Sequence, residues 1–253
     1  GVKIITGSEV KKINIKNKKV VSVSTENEEI ETDYLIASAD YAHVENQLLE
    51  KKYRNYSTEY WNKKNFSPSS LLFYLGVSKK LNKLDHHTLF FDEDIEQHSN
   101  DIYEKPIWPK KPLFYACCPA KTDPKVAPKD KENLFILVPI AAGLNDTEEI
   151  REEYFKIVMK RLEKFCGEKI IEHIEYKKSY CVNDFITDYN AFKGNAYGLA
   201  NTLMQTANLK PKIVNKQVQN MYYTGQLTVP GPGVPPSIIS GQLVAEQIIT
   251  KSK

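Results

Sequence analysis

Hydrophobic and polar positions in the first part of the chain follow the period of short strands. Apolar side chains alternate or cluster in four stretches, at residues 2–5, 10–15, 19–25 and 29–36. Polar pairs at 17–18 and 26–27 separate the later stretches, so the pattern predicts one strand followed by a β-meander. Residues 34–40 form an apolar strand that ends in small side chains. A helix-like segment at 41–53 follows, with Asp40 as its predicted N-cap.

The middle of the chain, residues 66–182, is rich in strands and aromatic side chains. Strand-like runs occupy residues 70–77, 87–91, 113–118 and 134–140. One amphipathic helix interrupts them, because apolar side chains recur at helical spacing from Ile150 to Phe165. Residues 145–147 offer its N-caps. Two interpretations of this helix stay open: it covers a core, or its lysines and apolar face lie on a membrane surface.

The C-terminal part contains a strand, a turn rich in proline and glycine, and the start of a helix. An apolar strand is predicted at 220–224, Gly225 ends it, and Pro235 stands where the first turn of a helix accepts proline. A helix N-terminus therefore faces the turn. Its free N–H groups and positive dipole end favour negative charge, which suits the N1 and C2=O edge of a reduced flavin.

Residues 231–236 begin like a dinucleotide-binding fingerprint, but a proline stands where the last glycine belongs. Pro232, Pro235 and Pro236 lack the backbone N–H groups that would bind a pyrophosphate. No other segment of the sequence fits that fingerprint. If the ligand is a dinucleotide, its phosphate-binding half is contributed by sequence outside this chain.

The C-terminal turn resembles the flavin motif of carotenoid desaturases of the bacterial and fungal phytoene desaturase type, within the FAD-dependent amine oxidase-like superfamily. Further segments resemble the same family in the same order, at residues 67–76, 86–92, 122–128, 132–135 and 188–200. The similarity covers essentially the whole chain and corresponds to the C-terminal half of a family member. The sequence is therefore interpreted as a fragment or a split gene product.

This resemblance implies the C-terminal part of a two-domain α/β flavoprotein with α+β elements. Residues 1–45 and 191–253 would belong to an incomplete, Rossmann-like FAD-binding domain, and residues 46–190 to a substrate-binding domain built on a mixed sheet with helices. FAD would contact the residues of the last turn, which are Gly225, Gln226, Val229, Pro230, Gly231, Gly233, Val234 and Pro235. No catalytic residue or general base is assigned.

The implied function is desaturation of a long isoprenoid such as phytoene, by hydride transfer to FAD. Oxygen or a quinone would reoxidise the flavin, and the missing N-terminal half of the protein would complete the FAD site. Two alternatives stay open: a related FAD-dependent isoprenoid oxidoreductase or isomerase, and a non-catalytic fragment that binds apolar ligands. We expect this fragment alone to be inactive and to bind FAD weakly, because the adenylate and pyrophosphate contacts are absent.

Composition is ordinary for a globular protein, with 41% apolar and 26% charged residues among 253. A net charge of +3 is too small to favour nucleic acid as a partner. No signal peptide pattern is visible, and the longest apolar run, at 134–142, is too short to span a bilayer. The predicted location is cytoplasmic, with peripheral contact to membrane lipid.

Cysteine and histidine positions do not predict a metal site. The four cysteines lack the spacing of metal ligands or of a disulfide framework and are interpreted as reduced thiols. His86 and His87 are adjacent, and adjacent side chains of a strand point to opposite faces. Residues 188–190 are expected to form a polar and aromatic loop near the junction of the two domains.

Overall fold

The computed structural model describes residues 1–251, which divide into two compact units. Unit 1 comprises residues 1–65, 189–192 and the chain from 197 onward, and unit 2 comprises residues 66–188 and 193–196. The strands are β1 (Lys12–Lys16), β2 (Lys19–Ser24), β3 (Glu29–Glu31), β4 (Leu35–Ala37), β5 (Ser69–Val77), β6 (His87–Phe90), β7 (Phe114–Cys117), β8 (Glu132–Ile140), β9 (Ile174–Tyr180) and β10 (Met221–Tyr223). The α-helices are α1 (Tyr41–His43), α2 (Thr58–Asn62), α3 (Ile95–Tyr103), α4 (Glu148–Cys166), α5 (Val182–Tyr189) and α6 (Val234–Lys251).

Unit 1 contains two small sheets. Strands β1, β2 and β3 form the predicted antiparallel meander, and Asn17 and Lys18 turn between the first two with φ angles of 50° and 60°. Strand β4 pairs in parallel with β10, although the whole of unit 2 lies between them in the sequence. The predicted strand at 2–5 is wrong, because these residues join no sheet of the described chain and Val2 is 90% exposed.

The predicted helix at 41–53 is broken into three pieces. Asp40 is its N-cap, as predicted, since its Oδ1 accepts the N–H of His43 at 3.1 Å. After α1 the chain continues as a π-helix at Val44–Leu48 and ends in a 3-10 turn at Lys51–Tyr53. Leu49 is extended, and Arg54 donates to its carbonyl oxygen from Nε at 3.0 Å. The guanidinium thus satisfies a carbonyl that a continuous helix would have satisfied.

Unit 2 is a five-stranded sheet in the order β6-β7-β8-β5-β9, covered by the amphipathic helix α4. Every pairing in it is antiparallel, so the sheet is not the mixed one that was predicted. Apolar residues of α4, among them Tyr154, Val158 and Leu162, are buried in one core with β5 and β8. This helix therefore covers a core, and the membrane interpretation of its apolar face is wrong.

The sequence did not predict three elements of unit 2, which are α3, α5 and β9. Strand β9 is mostly exposed and polar, so its residues lack the alternation that marks a half-buried strand. The predicted strands of the middle region are all present, with bounds shifted by one or two residues. The fold class, α/β with α+β elements, is confirmed. Among residues 1–251, no helix has the length and apolar character needed to cross a bilayer.

Candidate cofactor site

The predicted site begins where the parallel strands β4 and β10 end side by side. The N–H of Thr224 donates to the carbonyl of Ala37 at 3.0 Å, which extends the pairing past the last strand residue. A Cβ added to Gly225 would lie 3.7 Å from the carbonyl oxygen of Ser38. Ligands of open α/β sheets bind outside the carboxyl ends of the strands, and the loop after β10 starts at this edge.

Hydrogen bonds fix the start of the loop to helix α6. The N–H of Gly225 donates to Oγ of Ser240 at 3.0 Å, and that hydroxyl donates to the carbonyl of Ser237 at 2.7 Å. Thr228 is buried and donates from both its backbone N–H and its hydroxyl to the carbonyl of Gly225, at 3.0 and 2.9 Å. The loop is therefore held at both ends of its first turn, and the Val229–Pro230 peptide that follows is cis.

Glycine is required at the positions where the loop bends. Gly225, Gly231 and Gly233 have φ angles of 97°, 132° and 117°, which side chains with a Cβ rarely adopt. Gly198 is also left-handed, and a Cβ there would lie 2.8 Å from the carbonyl oxygen of Gln226. Sequence reasoning did not assign Gly198 to the site, although it lies in a segment that resembles the family.

Helix α6 begins at Val234, as the position of Pro235 predicted, but its first turn offers few donors. The residues after Val234 are Pro235 and Pro236, which have no N–H, and the N–H of Ser237 already donates to the carbonyl of Gly233 at 2.9 Å. The helix dipole remains, but of the first three residues of the helix only Val234 has an N–H to offer. The N-terminus alone is thus a weaker anion site than the sequence suggested.

A lysine that sequence reasoning missed lies against the loop. Lys210 is 2% exposed, and its Nζ has no hydrogen-bond or ion-pair partner among residues 1–251. A Cβ added to Gly231 would lie 3.4 Å from Cε and 3.5 Å from Nζ of this lysine. Burial lowers the pKa of Lys210. No sequence signal distinguishes it from the many surface lysines of this chain.

Strand β10 rests on a cluster of polar aromatic side chains. The rings of Tyr223 and Tyr41 stack with centroids 3.7 Å apart, and the Tyr223 hydroxyl donates to Oε1 of Glu45 at 3.1 Å. Backbone N–H groups of Asn55 and Tyr56 also donate to Glu45, at 2.7 and 2.9 Å. Burial raises the pKa of Glu45 to about 7, although these hydrogen bonds oppose the rise. The cluster fixes the strand from which the loop departs.

The predicted site residues lie along one stretch of chain, the loop after β10 and the start of α6, and they differ in exposure. Gly231 is buried, Gly225, Gln226 and Val229 are half-buried, and four residues are exposed, namely Pro230, Gly233, Val234 and Pro235. A flat ring fits this loop on two observations: the bends carry no side chains, and Lys210 supplies a buried ammonium without a partner. The role of Gln226 toward the cofactor stays a prediction.

His86 and His87 do not point to opposite faces. Their rings stack with centroids 4.1 Å apart, because His86 precedes β6 and its backbone is outside the regular strand. With Cys117, opposite His87 in the β6-β7 pair, they form a group whose ligand atoms lie within 4.8 Å of one another. The geometric argument against shared coordination was therefore wrong. The stacked rings hydrogen-bond to Thr122 and Tyr115, at 2.7 and 2.6 Å.

Residues 188–190 are only partly a loop. Asp188 and Tyr189 end helix α5, and Asn190 follows in the left-handed region with a φ of 53°. Within unit 2, the hydroxyl of Tyr180 donates to Oδ2 of Asp188 at 3.0 Å. Asp188 thus lies in the last turn of helix α5, where its carboxylate accepts a hydrogen bond from Tyr180.

Parallel strand ends, a glycine-rich loop and a helix start form the arrangement at which open α/β sheets bind their ligands. The family described as flavin containing amine oxidoreductase matches residues 1–249 of the chain. The chain belongs to this family. FAD as the cofactor and the enzyme class, an FAD-dependent oxidoreductase, are thereby confirmed at the level of the family.

The chain is 41% identical over 249 residues to the carotenoid 3,4-desaturase of Haloarcula japonica, covering 98% of this chain and 50% of that protein. It is 27% identical to the zeta-carotene-forming phytoene desaturase of Myxococcus xanthus, covering 99% of this chain and 48% of that protein. The resemblance to carotenoid desaturases is confirmed. The chain spans about half the length of the curated relatives it matches.

Solved structures share the fold at low sequence identity. A putrescine oxidase bound to putrescine has a TM-score of 0.61 and 12% identity, with 96% of this chain and 48% of that chain covered. An oxidoreductase from Methanosarcina mazei has a TM-score of 0.59 and 14% identity, with 95% and 49% covered. Both comparisons show that the chain has the fold of about half of each of these longer chains.

Proposed function

We propose that this chain is the C-terminal portion of an FAD-dependent carotenoid desaturase that introduces C=C bonds into a long isoprenoid. One hydrogen leaves the substrate as hydride to the flavin and its neighbour leaves as a proton, so the electron pair left behind forms the new double bond. The observation that carries the proposal is the loop from Gly225 to Val234, whose bare bends and neighbouring ammonium fit a flat redox ring. Relatives named as desaturases support the substrate class.

The residues of this chain would position the flavin ring and keep water from it. When bound, FAD would serve as the hydride acceptor. Gly225 and Thr228 fix the bend, and Gly231 and Gly233 supply the positive φ angles that carry the backbone around it. No residue is proposed as a general base. The eight residues predicted to contact FAD, from Gly225 to Pro235, remain the proposed cofactor site.

The missing N-terminal half of the protein is the proposed partner of unit 1. Helix α6 buries only Ser240 and Val244 of its 18 described residues, while Val234 and Ile238 are 76% and 69% exposed. Residues 2–5 are mostly apolar, and they join no sheet of the described chain. Because the chain spans half the length of its relatives, we assign these surfaces to strands and helices of the other half. No nucleic acid partner is proposed.

We propose that unit 2, with its antiparallel sheet, supplies the isoprenoid-binding part of the enzyme. Its bounds, 66–188 and 193–196, would replace the predicted domain of 46–190. Peripheral lipid contact is part of the proposal, since the substrate is a membrane-soluble hydrocarbon. Leu89, Phe91 and Ile95 are the exposed apolar residues assigned to it; they lie on edge strand β6, directly after it and at the start of α3.

The test is the complete polypeptide, produced in a host that accumulates phytoene. We expect a yellow protein with the absorbance of oxidised flavin and conversion of phytoene to more conjugated, coloured products. Chromatography of the products separates desaturation from isomerisation or saturation of the same substrate. A complete, folded protein that binds no flavin contradicts the proposal.

Two glycine variants in the complete protein test the loop itself. Gly233→Ala should reduce FAD retention strongly, because its φ of 117° is strained for alanine and the new methyl would lie 3.3 Å from Cδ of Pro236. Gly241→Ala is the matched control, since a Cβ there has open space within helix α6. Equal flavin content in the two variants would place the cofactor elsewhere.

A further inference from the structure

Lys210 is the one buried ammonium that nothing in the described chain neutralises. Its side chain is 2% exposed and Nζ has neither a hydrogen bond nor an ion pair among residues 1–251. Leaving an ammonium buried without a partner costs several kcal/mol in general, so such lysines are rare unless a ligand or another chain satisfies them. Desolvation lowers the pKa of Lys210, as expected for an ammonium that lacks an anion.

The position of this lysine relates it to the loop. Nζ lies 3.5 Å from the point that a Cβ of residue 231 would occupy, and Gly231 has a φ of 132° that leaves this side of the backbone bare. The lysine thus lies beside Gly231, a position where a residue with a Cβ would be strained. Lys210 follows a 3-10 turn at Ala207–Leu209, to which its own N–H is bonded at 3.2 Å, so the backbone that carries it is fixed.

The same loop lacks donors of its own. Val234 is followed by two prolines, and the N–H of Ser237 is already used within the helix. A reduced flavin carries negative charge on its N1 and C2=O edge, and a dipole with one free N–H satisfies it poorly. The ammonium of Lys210 supplies a full charge and three donors at this place.

We propose that Lys210 binds the N1 and C2=O edge of the FAD ring and stabilises the ring in its reduced, anionic form. This rests on the proposed function, in that it assumes a flavin in the loop. Lys210 is then a cofactor-binding residue that sets the reduction potential. The charge it contributes replaces the hydrogen bonds that Pro235 and Pro236 cannot donate.

The first measurement uses the complete protein without cofactor. Lys210→Met keeps the length of the side chain and removes a charge that has no partner among residues 1–251, so we expect it to raise the free energy of unfolding of the apoprotein. Lys212→Met is the matched control, because Lys212 is exposed and donates from Nζ to the carbonyl of Asn208 at 3.0 Å. If Lys210→Met destabilises the chain more than Lys212→Met, the ammonium has a partner within the chain and the proposal fails.

The second measurement uses the complete, flavin-loaded protein and records the potential of the bound flavin. A charge-assisted hydrogen bond to the reduced ring predicts that Lys210→Met weakens binding of reduced FAD about tenfold to a hundredfold relative to oxidised FAD. For a two-electron couple each tenfold change is about 30 mV, so the potential should fall by about 30 to 60 mV. Lys210→Arg should keep most of the potential, and Lys212→Met should leave it unchanged.

The outcomes separate this inference from the proposed function. A wild-type protein without flavin contradicts the proposed function itself. A yellow wild type with an unchanged potential in Lys210→Met overturns only the role of the lysine. A lower affinity for FAD at an unchanged potential places the ammonium on the diphosphate, which also overturns the assignment to the ring. The predicted fall of the potential, restored by arginine, supports it.

Discussion

The two long helices of this chain show how differently its two units are built. Helix α4 of unit 2 has seven buried residues among 19, including Tyr154, Met159 and Leu162. Helix α6 of unit 1 has two buried residues among 18, although it is the more apolar of the two. Helix α4 therefore has, within unit 2, the partners that its apolar face needs. Helix α6 stays mostly exposed or half-buried within the described chain, which fits the proposal that another part of the protein covers it.

Strand pairing also differs between the two units. In unit 2, β5 and β8 pair over nine residues, and the inward side chains of β8 alternate with half-buried ones as a strand against one core requires. In unit 1, β4 and β10 pair over three residues in a two-stranded parallel sheet. Parallel sheets are usually buried on both faces by helices, and a two-stranded one is marginal alone. The proposed cofactor site lies at the edge of this small sheet, so the proposal includes support from the other half of the protein.

The largest predicted effect concerns a buried ion pair that stabilises unit 2. Arg151 is buried and donates to both carboxylate oxygens of Asp146, at 2.7 and 2.6 Å, and also lies 2.7 Å from Asp184. Arg151→Met leaves a buried carboxylate without its cation, which costs about 3–5 kcal/mol. Hydrogen exchange of the amides in β5 and β8 should show the loss.

The control for this variant is an exposed ion pair of the same unit. Lys131 and Glu175 lie 2.5 Å apart on the surface, so Lys131→Met should cost at most about 1 kcal/mol. Arg151→Met with no more effect than this control would mean that the buried network does not hold unit 2 together.

The next effect concerns the support of the loop in unit 1 and depends on pH. Burial raises the pKa of Glu45 from 4.5 to about 7. Since the folded state then binds more protons than the unfolded state between these values, stability is highest below pH 4.5 for this group and falls as the pH rises to 7. The full loss is about 3 kcal/mol, at 1.36 kcal/mol for each pKa unit.

Hydrogen exchange of the segment around Asn55 and Tyr56, whose N–H groups bind Glu45, measures this loss at pH 5 and pH 8. Glu45→Gln removes the titrating group, so its stability should change less with pH than that of the wild type. An exposed carboxylate such as Glu31 supplies the control variant, Glu31→Gln, which should keep the wild-type pH profile. A wild type whose unit 1 is equally stable at both pH values would contradict the assigned pKa.

Sequence reasoning predicted the parts of this chain that depend on neighbours in sequence. The meander, the cap at Asp40, helix α4 and the start of α6 follow from local alternation, capping and proline placement. It missed β9, whose polar residues pair with β5 across a long separation, and it placed a strand at 2–5 that has no neighbour here. Lys210 was missed because only tertiary packing makes a lysine buried.

Family resemblance and structure contributed differently to the candidate site. The glycines of the loop were named from sequence, and their positive φ angles explain why glycine is needed there. The expectation that the helix start provides several N–H donors was too strong, since two prolines occupy its first turn. Both prolines are visible in the sequence, so the low number of N–H donors could have been predicted from it.

The smallest predicted effect comes from removing a helix N-cap in each of the two units. Asp94 caps α3 in unit 2 by accepting the N–H groups of Glu96 and Gln97 at 2.9 and 3.1 Å. Asp40 caps α1 in unit 1 and accepts a second N–H, that of Phe192, at 3.2 Å. Loss of a cap costs about 1 kcal/mol, so Asp94→Ala should lower the protection of α3 by that amount.

Asp40→Ala should cost more than Asp94→Ala, because it also frees an N–H contributed from 152 residues further along the chain. Hydrogen exchange of the peptides that contain His43 and Phe192 measures both consequences, and Asp40→Asn should restore the cap to His43 while weakening the bond to Phe192. Equal costs at the two positions would show that Asp40 is an ordinary cap.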